Sequence, residues 1–262
     1  MHKNTTEINR AMLLGDVVRV SFFVRNGSLQ MGEECYFFLM SSMRKMRMKI
    51  PLNFTLEFFE ECILKIASEQ QLLHGIISLY VYRKDFDGPI SEAPVDLLHE
   101  IQSITDPFSM KEGYTMDVIK EISIGTNLLS NIQVPSPENI YAKVYAKENE
   151  LNDVILLNSN RRVARSIYGN LLLLQDGVIK VVPQSEGAYI SPLMENMLTY
   201  FLRTLHVKHE QIEMSAFETQ KAQEILVVSD SHGITAVSSI RNKEFASESF
   251  RQWVGKWQSS FV

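Results

Sequence analysis

Two cysteines in 262 residues, Cys35 and Cys62, are too few for a disulfide framework, and neither stands in a metal-binding or redox spacing. Both lie among apolar neighbours, so buried thiols in a reducing compartment are expected. No apolar run approaches the ~20 residues that cross a bilayer, and the opening MHKNTTEINRAMLLGD lacks the apolar core of a secretory signal. A cytoplasmic protein with no membrane partner is the expectation. Positive charge is also in short supply: the net charge is -5 and the pI about 5.7, which speaks against nucleic acid as a partner. The one basic cluster, Arg44, Lys45, Arg47 and Lys49, alternates with Met43, Met46 and Met48 and reads as the wet face of a helix. The six histidines are scattered without zinc-ligand spacing. No Gly-x-Ser-x-Gly, Gly-x-Gly-x-x-Gly or phosphate-loop sequence occurs, so hydrolase, dinucleotide and nucleoside-triphosphate readings have no motif behind them.

What is present is an ordinary globular composition, 45% hydrophobic and 22% charged, in a chain long enough for two modest domains. Asn139 to Val182 organises the rest. Ile140, Val144 and Leu151, with Tyr141 and Tyr145 beside them, recur near helical spacing and predict a helix over about Asn139 to Glu150 with one buried stripe. Val154 to Leu157 is a short apolar run ended by Asn158-Ser159-Asn160, and Leu171 to Leu174 meets Val178 to Val182 across the hairpin signal Asp176-Gly177.

On the amino-terminal side, Val17 to Val24 is rich in β-branched and aromatic residues and turns at Asn26-Gly27. Glu33 to Met48 reads as a helix, and a second helix follows Asn53 or Thr55 with Phe58, Phe59, Cys62, Ile63 and Ile66 facing inward. Gly75 to Arg83 and Met116 to Ile122 are expected strands, while Val95 to Ile104 fits either period. Pro135 and Pro137 make Leu129 to Glu138 a non-helical connection, which places a domain boundary between residues 1–128 and 129–262. Ser191-Pro192 opens a helix with a core stripe from Leu193 to Leu205. Strands over Gln211 to Met214, Ile225 to Val228 and Ile234 to Val237 follow, with short helices near Phe217 to Ala222 and Ser247 to Trp257. The class is α+β.

A helix containing Tyr-Ala-Lys-Glu-Asn, a strand ending Leu-Leu-Asn, a polar loop closing on Gly169-Asn170, and a hairpin closed by Asp-Gly and followed by Pro resemble the class IV aminotransferases. That family comprises branched-chain and D-amino-acid aminotransferases and aminodeoxychorismate lyases. The likeness runs from about Val17 to Ile240. It implies a two-domain D-amino-acid aminotransferase-like fold (fold type IV), pyridoxal phosphate as cofactor, and a homodimer.

The family's chemistry needs a lysine for the Schiff base, a carboxylate on the pyridine nitrogen, and an arginine and threonine on the phosphate. Counted by register from the resemblance, the lysine position reads Ile132, and no lysine lies between Lys120 and Lys143. The carboxylate position reads Arg165, the arginine position Phe38 and the threonine position Leu193. Only Ser229 to Thr235, with Ser231, His232 and Gly233, keeps the small polar residues and glycine of a phosphate turn next to a strand, and Asn170 keeps the family's position. These eight positions, Phe38, Ile132, Arg165, Asn170, Leu193, Ser231, His232 and Gly233, are the candidate site, with no catalytic residue and no metal among them. The expectation is a degenerate family member that binds no cofactor and holds a small anion near Arg165. The alternative is an active transaminase or 4-amino-4-deoxychorismate lyase that keeps pyridoxal phosphate in an unorthodox site.

Overall fold

The computed structural model describes residues 9–261, which divide into two compact units: residues 9–105 with 132–136, and 106–131 with 137–261. The division falls at 105/106 rather than at the expected 128/129, because the strand that begins at Met110 pairs within the second unit's sheet.

The first unit opens with helix α1 (Arg10–Leu14), then hairpin β1 (Val17–Arg25) and β2 (Ser28–Gln30), turned at Asn26 and Gly27 with φ of 53° and 69°. Helices α2 (Gly32–Lys45) and α3 (Leu56–Glu69) follow, the latter capped where Thr55 Oγ1 accepts from the Phe58 amide at 3.2 Å. Strands β3 (Gly75–Arg83) and β4 (Val95–Ser103) complete an antiparallel sheet of order β2-β1-β3-β4, which resolves the ambiguous Val95 segment as strand. Phe22 and Phe59 stack with centroids 6.4 Å apart, both fully buried, and each such ring contributes ~1.5–3 kcal/mol by leaving water. Cys35 is buried as expected, but Cys62 on α3 is only half-buried, because α3 turns Phe59, Ile63 and Ala67 inward. Below the sheet edge, the Asp16 carboxylate holds both Arg83 and Arg10.

The second unit contributes β5 (Met110–Val118), α4 (Pro137–Glu148), β6 (Asp153–Leu157), β7 (Val163–Ser166), β8 (Asn170–Gln175), β9 (Val178–Val181), α5 (Pro192–Thr204), β10 (His209–Gln211), β11 (Glu224–Ser229), β12 (Gly233–Ile240), β13 (Lys243–Glu244) and α6 (Glu248–Gln258). Eight strands run in the order β10-β9-β8-β11-β12-β5-β6-β7, and β13 joins β12. The pairs β12/β5 and β5/β6 are parallel. The Asp176-Gly177 turn has φ of 51° and 74°, the positive pair that the hairpin signal demands.

Three expectations need correction. Strand β5 begins and ends earlier than Met116 to Ile122, since its polar first half gains its order from parallel pairing with β12. Strand β10 covers His209–Gln211 rather than Gln211 to Met214, in parallel register with β9. Helix α4 begins at Pro137, inside the segment expected to be non-helical, and it buries Ala142 and Ala146 instead of the predicted stripe. Ile140, Tyr141 and Val144 are exposed at 64%, 49% and 52%. The two alanines let α4 lie close over Val154, Leu156 and Ala164, and Tyr145 and Leu151 pack at the margin.

Two positions bind the architecture. The buried Glu224 carboxylate accepts from the Ser249 and Phe250 amides at 2.9 Å each, a charge-assisted cap on α6. Gly169 passes so close to β11 that a Cβ would lie 2.0 Å from the Val228 carbonyl oxygen. Gly169→Ala should therefore forfeit the β8/β11 pairing and lower the melting temperature steeply. Gly255→Ala, inside α6 with open space at its Cβ, should stabilise by about 0.5–1 kcal/mol through the unfolded chain and helix propensity. Calorimetry on both variants checks the pair; comparable effects of the same sign would contradict the close approach.

Candidate functional site

Six of the eight candidate positions, Arg165, Asn170, Leu193, Ser231, His232 and Gly233, belong to the second unit, whereas Phe38 on α2 and the buried Ile132 belong to the first.

The turn that leads from β7 to β8 is tight. Ser166 Oγ accepts from the Gly169 amide at 3.0 Å and the Ser166 amide donates to the Gly169 carbonyl at 2.9 Å. Asn170, 1% exposed, then ties β8 to the segment entering α5: its Oδ1 accepts from the Tyr189 amide at 2.9 Å, and its Nδ2 lies 3.3 Å from Met194 Sδ. The turn between β11 and β12 closes on the same β7–β8 turn. Ser229 Oγ donates to the Tyr168 carbonyl at 2.7 Å and accepts from the His232 amide at 3.2 Å. Ser231 Oγ is 2.8 Å from His232 Nδ1, and the His232 and Tyr168 rings overlap with centroids 4.1 Å apart. Gly233, with φ of 85°, permits the return into β12. Two amines lie here: Lys143 Nζ sits 5.2 Å from the Tyr168 ring centre, and Lys111 Nζ donates to the His232 carbonyl at 3.4 Å.

Arg165 is 4% exposed on β7. Its Nη1 donates to the Ser166 carbonyl and its Nη2 to Asn139 Oδ1, both at 3.0 Å, while Cζ stands 4.4 Å over the Tyr189 ring. Among the described residues no carboxylate lies within ion-pair distance of it, and Nε has no acceptor. Burial pulls its pKa below an arginine's ordinary value, against the favourable fields of Tyr189, Asp153 and Glu138. The guanidinium offers donors only.

Leu193 is the second residue of α5 and wholly buried, so its side chain belongs to the core. The hydroxyl at that helix start is the N-cap Ser191, 4% exposed and making no capping bond, which the register count passed over. Arg162 ion-pairs with the buried Glu186 at 3.2 Å and with Glu213. Glu186 in turn accepts from Asn158 Nδ2 at 2.6 Å.

Sequence reasoning missed Asp153. Its Oδ1 accepts from the amides of Val154 at 2.7 Å and Ile167 at 2.9 Å, and its Oδ2 is buried without a partner. Total burial pushes its pKa up to about 7, opposed by its hydrogen bonds and by the Arg165 field. The folded state thus keeps a proton that the unfolded carboxyl loses near its ordinary value of 3.8. The resulting stability is full below that value and is lost as pH rises through the folded value. Asp153→Asn keeps an acceptor for both amides and removes the charge. Its melting temperature should match the parent at about pH 4 and exceed it at about pH 8. A parent at least as stable as the variant at the higher pH would contradict the assignment.

Comparison with known proteins places this geometry. The family model for amino-transferase class IV matches residues 39–240. No curated protein matches the chain by sequence. Among solved structures, branched-chain amino acid aminotransferase from Escherichia coli superposes with a TM-score of 0.83 at 13% identity, covering 99% of this chain and 88% of that one. A hypothetical aminotransferase from Mycobacterium tuberculosis in a PLP-bound form gives 0.82 at 14%, covering 100% and 96%. The 4-amino-4-deoxychorismate lyase from Pseudomonas aeruginosa gives 0.77 at 15%, covering 100% and 97%. At these identities the superpositions establish the fold, and the family match covers most of the chain: the protein belongs to the class IV aminotransferases.

Proposed function

We propose that this family member no longer performs pyridoxal-phosphate chemistry and serves as a binding or structural homologue on the aminotransferase fold. The observation that carries this is the buried Arg165 guanidinium stacked on Tyr189. The residues do not fit the cofactor there. A pyridine nitrogen that must stay protonated needs an acceptor, and a neighbouring cation that offers only donors depresses its pKa instead. Ile132, at the position matched to the Schiff-base lysine, has no amine, and Phe38 and Leu193 supply no phosphate ligand. Each missing charge-assisted bond, at ~1.5–3 kcal/mol, weakens anion binding by an order of magnitude or more.

Purified protein should be colourless and remain so with added pyridoxal phosphate. A visible band trapped by borohydride onto a lysine would sink this reading and favour an active transaminase or 4-amino-4-deoxychorismate lyase. Lys111 and Lys143, the amines beside the Tyr168 and His232 rings, are where mass spectrometry should look.

A homodimer is part of the proposal, and the exposed Ile140, Tyr141 and Val144 of α4 are surface that a second copy would cover. Light scattering at micromolar concentration should give twice the chain mass of 30.0 kDa; a monomer would count against it. Arg165, with Nε unpartnered, is the proposed attachment point for a small anion near the Ser231-His232-Gly233 turn.

A further inference from the structure

The geometry points to a second, separate ligand site: a groove at the carboxyl ends of β5 and β12 that takes a small anion bearing an aromatic ring. It is independent of the cofactor position, since Gly233 and Arg241 stand at opposite ends of β12, roughly 25 Å apart at strand rise.

The groove measures about 530 Å³ and is lined by Val118 and Lys120 after β5, Arg241 and Lys243 beyond β12, and Phe217 and Gln220 on the 3-10 segment Glu218–Lys221 and its approach. That volume suits a small molecule, and the carboxyl edge of parallel strands is where open α/β sheets receive ligands. Three of its lining residues are cations and none is acidic.

Its walls are held in place by the protein itself. Lys243 Nζ donates to the carbonyls of Gln220 and Ala222, tying the β12–β13 turn to the 3-10 segment. Arg241 is engaged by Asp117, and its amide donates to the Met116 carbonyl at 3.2 Å. Arg161 Nη1 donates to the Lys120 carbonyl at 3.1 Å, fixing the chain after β5.

Against this fixed frame, one ammonium is uncommitted and one ring is largely exposed. The Lys120 ammonium has no hydrogen bond or ion pair among the described residues. The Phe217 ring is 71% exposed, touched by Lys221 Nζ at 5.7 Å from its centre. A largely exposed ring and an unpaired ammonium that line one groove, with two further cations in its wall, recognise a planar ring that carries a carboxylate or phosphate. The ring would stack on Phe217 and the anion would meet Lys120. A lone inorganic anion would use only half of this arrangement.

The test titrates the full chain by calorimetry and amide-resolved NMR with benzoate, phenyl phosphate, inorganic phosphate and benzyl alcohol, in the parent, Lys120→Ala and Phe217→Ala. Both side chains are exposed, so both variants should melt with the parent. At least one ring-bearing anion should bind saturably, shift amides of 118–120 and 241–243, and weaken about tenfold in each variant. Preference between benzoate and phenyl phosphate identifies the anion. Absence of saturable binding below about 10 mM, equal binding by inorganic phosphate, or binding indifferent to both substitutions overturns the site.

Discussion

A guanidinium taken out of water must recover what water supplied, and the second unit is arranged around doing so for Arg165. Four segments take part. The end of β7 gives the Ser166 carbonyl, the first turn of α4 gives Asn139 Oδ1, the approach to α5 gives the Tyr189 ring, and β6 gives the field of Asp153. Both direct acceptors are neutral, so hydrogen bonding is restored without restoring charge balance. The carboxyl whose field supports it is itself wholly buried, and burial draws it toward its neutral form. Cation and carboxyl are therefore one coupled system: ionised Asp153 favours Arg165, while its own desolvation resists ionisation.

This coupling also governs what the position can host. A cofactor ring whose nitrogen must hold a proton needs a fixed negative charge, and a fixed positive charge there works against it by the same field that Asp153 feels. The neighbouring Tyr168, drawn toward its neutral form by burial and by Asp153, adds no anion at neutral pH. The nearby turns remain hydrogen-bonded and well formed.

The sequence was most legible where a single residue's backbone freedom or a contiguous apolar run decides the outcome. Asn26-Gly27 and Asp176-Gly177 turn as read, and Ser191-Pro192 opens α5. Reading failed where partners decide. The apolar residues of α4 lie at helical spacing, yet the face that packs is the one carrying Ala142 and Ala146, since small side chains permit close approach and large ones on the far side do not compete. The polar start of β5 carries no strand pattern of its own; it is a strand because β12 lies beside it. In the site, counting from Asn170 reached Arg165, but nothing local marks Asp153, Asn139 or Tyr189. They come from three separate segments, and only the fold makes them neighbours of one charge.

The residues that hold the architecture are largely distinct from those that would carry chemistry. Gly169 is required by the carbonyl of Val228, Glu224 by the amides that open α6, and the leucines of β8 by the sheet they fill. None of these contacts depends on an amine at position 132 or a carboxylate at 165. Asn170 is the exception, because its side chain ties the Tyr189 backbone to β8 whatever occupies the neighbouring turns. Packing and backbone hydrogen bonds set the fold; side chains at a few loop positions set the chemistry, and these can change sign without disturbing the frame that carries them.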